Sequence, residues 1–368
     1  MLLKANLRLL LAQLDSLSET PYFTSQLDTY IRELREVLRA LLSKVAAQPM
    51  AINEDLAHFI AHEVWRLTQF LTGSTTKQIP YEVVYAIGKA AAEWGARRLL
   101  ITTAIVQEAN FYFHGSRREF FNSVEQELGI KISHQPVQIA LPYIYRHKPL
   151  FCVPLFHELG HFIDTSNDVV TTSLFRHPES VGPDLPDLPS SEEIAKAPDE
   201  KRKALAQVVK SHRAEYFADL ISAAYVGEAA HGFLGEFIPN QAASLSHPSS
   251  ASRYQLMSDF LSGKPNPILD MFQQTLSTRG LPALAVRFRL PDVDDTFGNV
   301  RPCKLESDAD VFGAFAAGWG FLSRMNNKPT GLWASLPVED IEKVTNDLIE
   351  KSIRNRMISE GWDEATNP

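Results

Sequence analysis

Cysteine is almost missing. Cys152 and Cys303 are the only two in 368 residues, and neither stands in a CxxC pair, so a disulfide framework and a thiolate metal centre are both excluded. A reducing, cytoplasmic setting is expected. Basic charge is also short: 36 Lys and Arg face 44 Asp and Glu, a net charge of −8. No basic excess is left to neutralise phosphates or an anionic bilayer, so no nucleic-acid partner is expected. Long apolar runs are lacking too, since the longest are interrupted by Arg, Glu or Lys before the roughly 18 to 20 residues a membrane helix needs. No membrane partner is expected. Lys4 and Arg8 interrupt the apolar N-terminal stretch and no small-residue cleavage site follows, so no export signal is read.

What remains is an ordinary globular composition, 45% hydrophobic and 22% charged, long enough for one large domain or two to three smaller ones. Thr20-Pro21 has the form of a helix start. Leu27, Ile31, Leu34, Leu38, Leu41 and Val45 then recur at three and four, and Leu56, Ile60, Val64, Leu67 and Leu71 repeat the pattern. Residues 1–95 are therefore expected to be a helical N-terminal region. Leu99 to Val106 is β-branched and apolar, and Val137, Ile139, Leu141, Tyr143 and Tyr145 alternate at period two, so strands are expected there. Five prolines between 178 and 198 predict a surface loop over 165–202. Helical periodicity returns after it, with further helices over 308–325 and 337–358. The class is α+β, mostly helical, with a core at 96–260 and a helical C-terminal region at 261–368.

The residues that carry chemistry are His157-Glu158-Leu159-Gly160-His161. Two histidines four apart on a helix share one face a turn apart, close enough for both imidazoles to reach one Zn²⁺, with Glu158 toward the same cavity. Such a bare pattern also occurs by chance on structural helices, so a third ligand is required. Glu215 supplies one. In Ala214-Glu215-Tyr216-Phe217-Ala218-Asp219 the carboxylates stand at i and i+4, so Glu215 can ligate while Asp219 holds the far ring nitrogen of a ligand histidine. The alternative is an exposed acidic face, against which Phe217, Leu220 and Ile221 indicate a packed helix.

On three pieces the chain resembles the gluzincin metallopeptidases, and within them the group of the HtpX heat-shock protease and the CAAX prenyl endopeptidases. These are the HELGH segment, Glu215-x-x-Ala218-Asp219, and Ser246-His247-Pro248 followed by Arg253. The resemblance implies a zincin-like core with a small sheet, zinc on His157, His161 and Glu215, and Glu158 as the residue that activates water. It implies His247 near the substrate oxyanion, with Arg253 helping to position that turn or bind substrate. Those relatives have membrane helices beside the motif and this chain does not, so their membrane substrates do not transfer. A weaker similarity to the soluble ImmA/IrrE-type metallopeptidases rests on HELGH and ExxA[DN] alone.

Other candidates have simpler readings. Asp164, three beyond His161, is a rival ligand or a helix cap. His212 precedes Glu215 by three but sits amid Lys210, Ser211 and Arg213, which suits a solvated side chain. His58 and His62 lack a glutamate between them and read as structural, and Cys152 as a small buried hydrophobe.

The expectation is thus a zinc endopeptidase acting on a protein or peptide, with the 137–145 strand a candidate edge for pairing with substrate and the 165–202 loop a candidate lid. The competing expectation is a non-catalytic zinc-stabilised interaction module, which would favour four closed protein ligands over three and a water activator.

Overall fold

Leu3, Leu7, Leu10 and Leu14 fall on one face of the first helix, α1 (Leu2–Leu17), and bury it. The next two, α2 (Ser25–Ala46) and α3 (Glu54–Thr72), do the same through Ile31, Leu34, Leu38 and Leu41, and through Ile60, Val64, Leu67 and Leu71. Together they enclose one apolar core. The start of α2 differs from the expectation at Thr20-Pro21: Thr24 is the cap, its hydroxyl accepting from the Gln26 amide at 3.3 Å. Asn53 caps α3 in the same way, satisfying amides that a first helical turn leaves unpaired. These elements belong to a computed structural model that describes residues 2–22, 24–47, 49–74, 80–95, 99–108, 110–178, 198–237 and 239–366.

Three strands form the sheet, β1 (Leu99–Val106), β2 (Tyr112–Gly115) and β3 (Gln135–Pro142), in the order β1-β3-β2. β3 runs parallel to β1, with Ile101 opposite Val137, and antiparallel to β2. A parallel pair needs a crossover, which α5 (Arg118–Leu128) provides between them. Both sides of β3 are therefore paired. This corrects the expectation that the 137–145 strand offers an edge to substrate, and Tyr143 to Tyr145 turn into a 3₁₀ segment instead.

The chain divides into two compact units, 1–80 with 96–146, and 81–95 with 147–368. This cuts it differently from the expected boundaries at 95 and 260. The sheet belongs with the N-terminal helices, whereas α4 (Tyr81–Glu93) and everything from His147 onward form the second unit. The Leu99–Val106 and Val137 segments are apolar enough to bury a sheet against any helix, so periodicity alone did not tell which helices it joins.

In the second unit α6 (Pro154–Asn167) carries HELGH. It ends at Asp168, whose φ of 52° is left-handed, and α7 (Val169–Arg176) begins at once. The long α8 (Asp199–Val226) follows and stops at Gly227, with φ of 56°. The expected loop over 165–202 is thus helical at both ends. Its residues 179–197, and with them the candidate lid, lie outside the described residues. Further helices are α9 (Glu228–Phe237), α10 (Ser250–Ser262), α11 (Pro267–Thr278), α12 (Asp294–Gly298), α13 (Asp308–Asn327) and α14 (Val338–Thr366). Phe156 stacks on Tyr225, and each meets a further ring edge to face, Phe156 with Phe315 at 5.4 Å between centroids and Tyr225 with Phe312. The Trp94 indole donates to the Tyr225 hydroxyl at 3.0 Å. The described chain is mostly helical with one small sheet, an α+β protein, and among the described residues no helix is long and apolar enough to cross a membrane.

Candidate metal centre

The centre depends on how closely α6 and α8 approach. A Cβ added at Gly160 would lie 2.5 Å from the Ala218 Cα, so only glycine lets the two helix backbones meet there. The contact sets Glu215, about one turn before Ala218 on α8, and Asp219, the next residue after it, against His157 and His161 on α6.

Asp219 is buried and accepts both Nε and Nη2 of Arg253, each at 2.7 Å. Burial alone would raise its pKa, but the paired guanidinium outweighs this and holds the carboxyl below its usual range. An ionised Asp219 can only accept, so the 3.0 Å contact with His157 Nδ1 places the ring proton there. The His157 Nε2 lone pair is thereby directed inward. It lies 3.1 Å from His161 Nε2 and 3.4 Å from Glu215 Oε2, while His161 Nε2 lies 3.4 Å from Glu215 Oε1.

These three side chains are the one group among the described residues whose donor atoms converge for a metal, all within 4.8 Å. A tetrahedral ion with bonds of about 2.0–2.2 Å keeps its ligand atoms roughly 3.3–3.6 Å apart, and the observed spacings fall within a few tenths of an ångström of that. The charge also fits. Burial opposes a charged His157 ring, but Asp219 and Glu215 outweigh it and push the pKa up to about 9. Glu215 is shifted down, its own burial being overcome by the two imidazoles. A proton and a metal ion compete for the same lone pair, and the two carboxylates favour either.

Glu158 lines the same cavity, of about 420 Å³. Burial raises its pKa, with the two imidazoles pulling the other way. His247 is half exposed, with Nε2 3.6 Å from Glu215 Oε1. Its turn is tightly built: the Ser244 hydroxyl accepts the His247 amide at 3.1 Å, the Ser244 amide donates to the His247 carbonyl at 2.8 Å, and the Ser246 hydroxyl lies 2.9 Å from Nδ1. The rest of the cavity wall includes Val153, Phe233, Leu234 and Met257.

Arg253 is where the structure departs from the expectation. It is 3% exposed and committed to Asp219, with Nη2 also 3.4 Å from Glu215, so it braces the carboxylates from behind. His212 departs as well. It is buried, not solvated, and its Nε2 donates to the Ser244 carbonyl at 2.7 Å. One turn before Glu215, it ties α8 to the turn that carries His247. Asp164 is spent as a cap, accepting the Val170 amide at 2.6 Å. His58 and His62 are exposed on α3, and Cys152 is fully buried with a thiol pKa pushed up by that burial. No family model, curated protein or solved structure matches this chain.

Proposed function

We propose that this chain is a zinc-dependent endopeptidase that hydrolyses a peptide bond of a protein or peptide substrate in the cytoplasm. The observation that carries it is the convergence of His157, His161 and Glu215 donor atoms at ligand spacing in a cavity that Glu158 also lines. His157, His161 and Glu215 would hold the ion, which when bound would supply a water of lowered pKa and polarise a carbonyl. Glu158, which lines the same cavity, would accept that water's proton and return it to the leaving amine. His247, reaching toward Glu215 Oε1 from the opposite element, stabilises the negative charge that develops on the carbonyl oxygen. Asp219 orients His157, and Arg253 keeps Asp219 ionised.

A zinc that only stapled the fold would use a fourth protein ligand and leave Glu158 without a role. The three-member ligand group among the described residues favours the enzyme. Two measurements on the full chain test it. Metal analysis should give one zinc per chain, lost in the double variant His157→Ala, His161→Ala. Glu158→Gln should keep zinc and fold but lose hydrolysis of every substrate found by N-terminal peptide mapping of a treated lysate, because an amide cannot accept the proton. Retained turnover in Glu158→Gln would remove it as the base.

A further inference from the structure

The helices α6 and α8 run antiparallel past the metal centre: His161 meets Glu215, and His157, four residues earlier, meets Asp219, four residues later. About one further turn along both helices brings Pro154 and Ser222 onto the wall of the same cavity. Apart from its ionisable groups that wall is apolar, formed by Val153 and Pro154 at the start of α6, Ala230, Phe233 and Leu234 of α9, and Met257 of α10. Only Ser222 and the exposed Gln241 interrupt it.

Ser222 is 3% exposed, yet its hydroxyl has no hydrogen bond among the described residues. Other buried helical hydroxyls of this chain return to the carbonyl four residues back: Thr68 to Val64 at 2.7 Å, Thr275 to Met271 at 2.8 Å and Ser352 to Leu348 at 2.7 Å. Ser222 leaves the equivalent carbonyl, that of Ala218, unused. Leaving a buried hydroxyl unpaired costs more than an ordinary hydrogen bond gains. Whatever fills the cavity beside Ser222 should therefore bring it a partner.

A side chain suited to such a wall has a large apolar body and one hydrogen-bonding atom at its tip. Leucine or phenylalanine would leave the Ser222 hydroxyl buried and unpaired, serine or threonine would leave the apolar wall unfilled, and a charged side chain would lose its water against it. A tyrosine ring can pack on Phe233 and on the Met257 thioether, and its phenol both donates and accepts. We propose that this part of the metal cavity is a subsite for a substrate tyrosine beside the scissile bond, with Ser222 as the hydrogen-bonding partner of its phenol, an inference that rests on the peptidase reading. Ser222 then determines specificity without touching the reacting atoms.

The test is an NMR titration of the full-length chain, its methionine methyl groups isotope-labelled, with N-acetyltyrosinamide and with N-acetylphenylalaninamide, in zinc and after EDTA. The Met257 signal, identified among the six methionines by its loss in Met257→Leu, reports an aromatic ring entering the cavity. It should shift saturably in both metal states, at about tenfold lower concentration of the tyrosine amide, the scale of one hydrogen bond. Ser222→Ala should bring the two curves together by weakening the tyrosine amide alone. Peptide mapping of a lysate treated with the zinc-loaded wild-type chain should find tyrosine enriched on one fixed side of the cuts. A Met257 signal unmoved by either amide overturns the subsite. Coincident curves in the wild-type chain also overturn it, because water then satisfies Ser222, and so does undiminished selectivity in Ser222→Ala. Cleavage of lysate proteins without tyrosine beside the cuts removes the subsite alone. A tyrosine-selective shift with no cleavage of any protein removes the peptidase reading, and the substrate role of the pocket with it.

Discussion

His212 and Arg253 reach the metal centre through other groups, one by a backbone carbonyl and the other by a carboxylate. His212 holds Ser244, and Ser244 in turn holds the His247 amide, so the position of His247 depends on a buried histidine that faces no substrate. His247→Ala should keep zinc and lose roughly 10²-fold in kcat, the scale of one missing donor at a developing oxyanion. His212→Ala should also keep zinc but lose about tenfold, because the turn loses one anchor and keeps its internal hydrogen bonds. His212→Gln, which retains a donor, should recover part of that loss. The readout is kcat on a cleaved peptide with zinc content measured in parallel; an unchanged kcat in His212→Ala would make its hydrogen bond irrelevant to the site. The convergence of His157, His161 and Glu215 was legible in part, because helical periodicity puts His157 with His161, and Glu215 with Asp219, on common faces. The roles of His212 and Arg253 were not, since their partners lie 32 and 34 residues away and no periodicity links those segments.

The pairing of α6 with α8 depends on a single absent methyl group. Gly160→Ala would force a Cβ to within 2.5 Å of the Ala218 Cα, and backbone cannot rotate aside as a side chain can. The helices must separate, at a cost of about 1–3 kcal/mol in stability, and Glu215 moves away from the histidines, so zinc affinity should fall together with the denaturation midpoint. Loss of stability with zinc affinity intact would show that the close approach serves packing alone. Another helix is set at its start. Asp310 accepts from both Nε and Nη2 of Arg289 and from the Glu306 and Ser307 amides in the capping box of α13. The Arg289 guanidinium leads in holding its carboxyl at about 2, against its own burial. A folded-state value below the ordinary carboxylate range, about 3.9, means stability present in full above that range and lost as pH falls through about 2. The stability gap between wild type and Asp310→Asn should therefore be constant from neutral pH to about pH 5 and narrow toward pH 2, as read by urea midpoints. Of the elements themselves, β1 and the helix from Asp308 were readable from apolar runs and period. The central place of β3 was not, because strand order is decided by which neighbours pair, and the two ends of the 165–202 segment fold as helix, one of them with Asp164 accepting the Val170 amide, which its proline content obscured.

Two compact units imply two hydrophobic cores that respond to different substitutions. α4 lies between segments of the first unit in sequence yet packs in the second, where Trp94 is 6% exposed and donates to Tyr225 beside the aromatic cluster behind HELGH. Trp94→Ala should cost about 3–5 kcal/mol, and Leu67→Ala in the first core about 2–5 kcal/mol, each lowering one of two unfolding transitions, since chains with more than one core commonly depart from two-state behaviour. The proposed zinc ligands, His157, His161 and Glu215, all lie within the second unit. At roughly 100 times its dissociation constant zinc should stabilise that unit by about 2.7 kcal/mol. Calorimetry with zinc and with EDTA should thus raise only the transition that Trp94→Ala lowers. If zinc instead raised the transition that Leu67→Ala lowers, the metal would be held by residues of the first unit, and the assignment of His157, His161 and Glu215 as its ligands would fail.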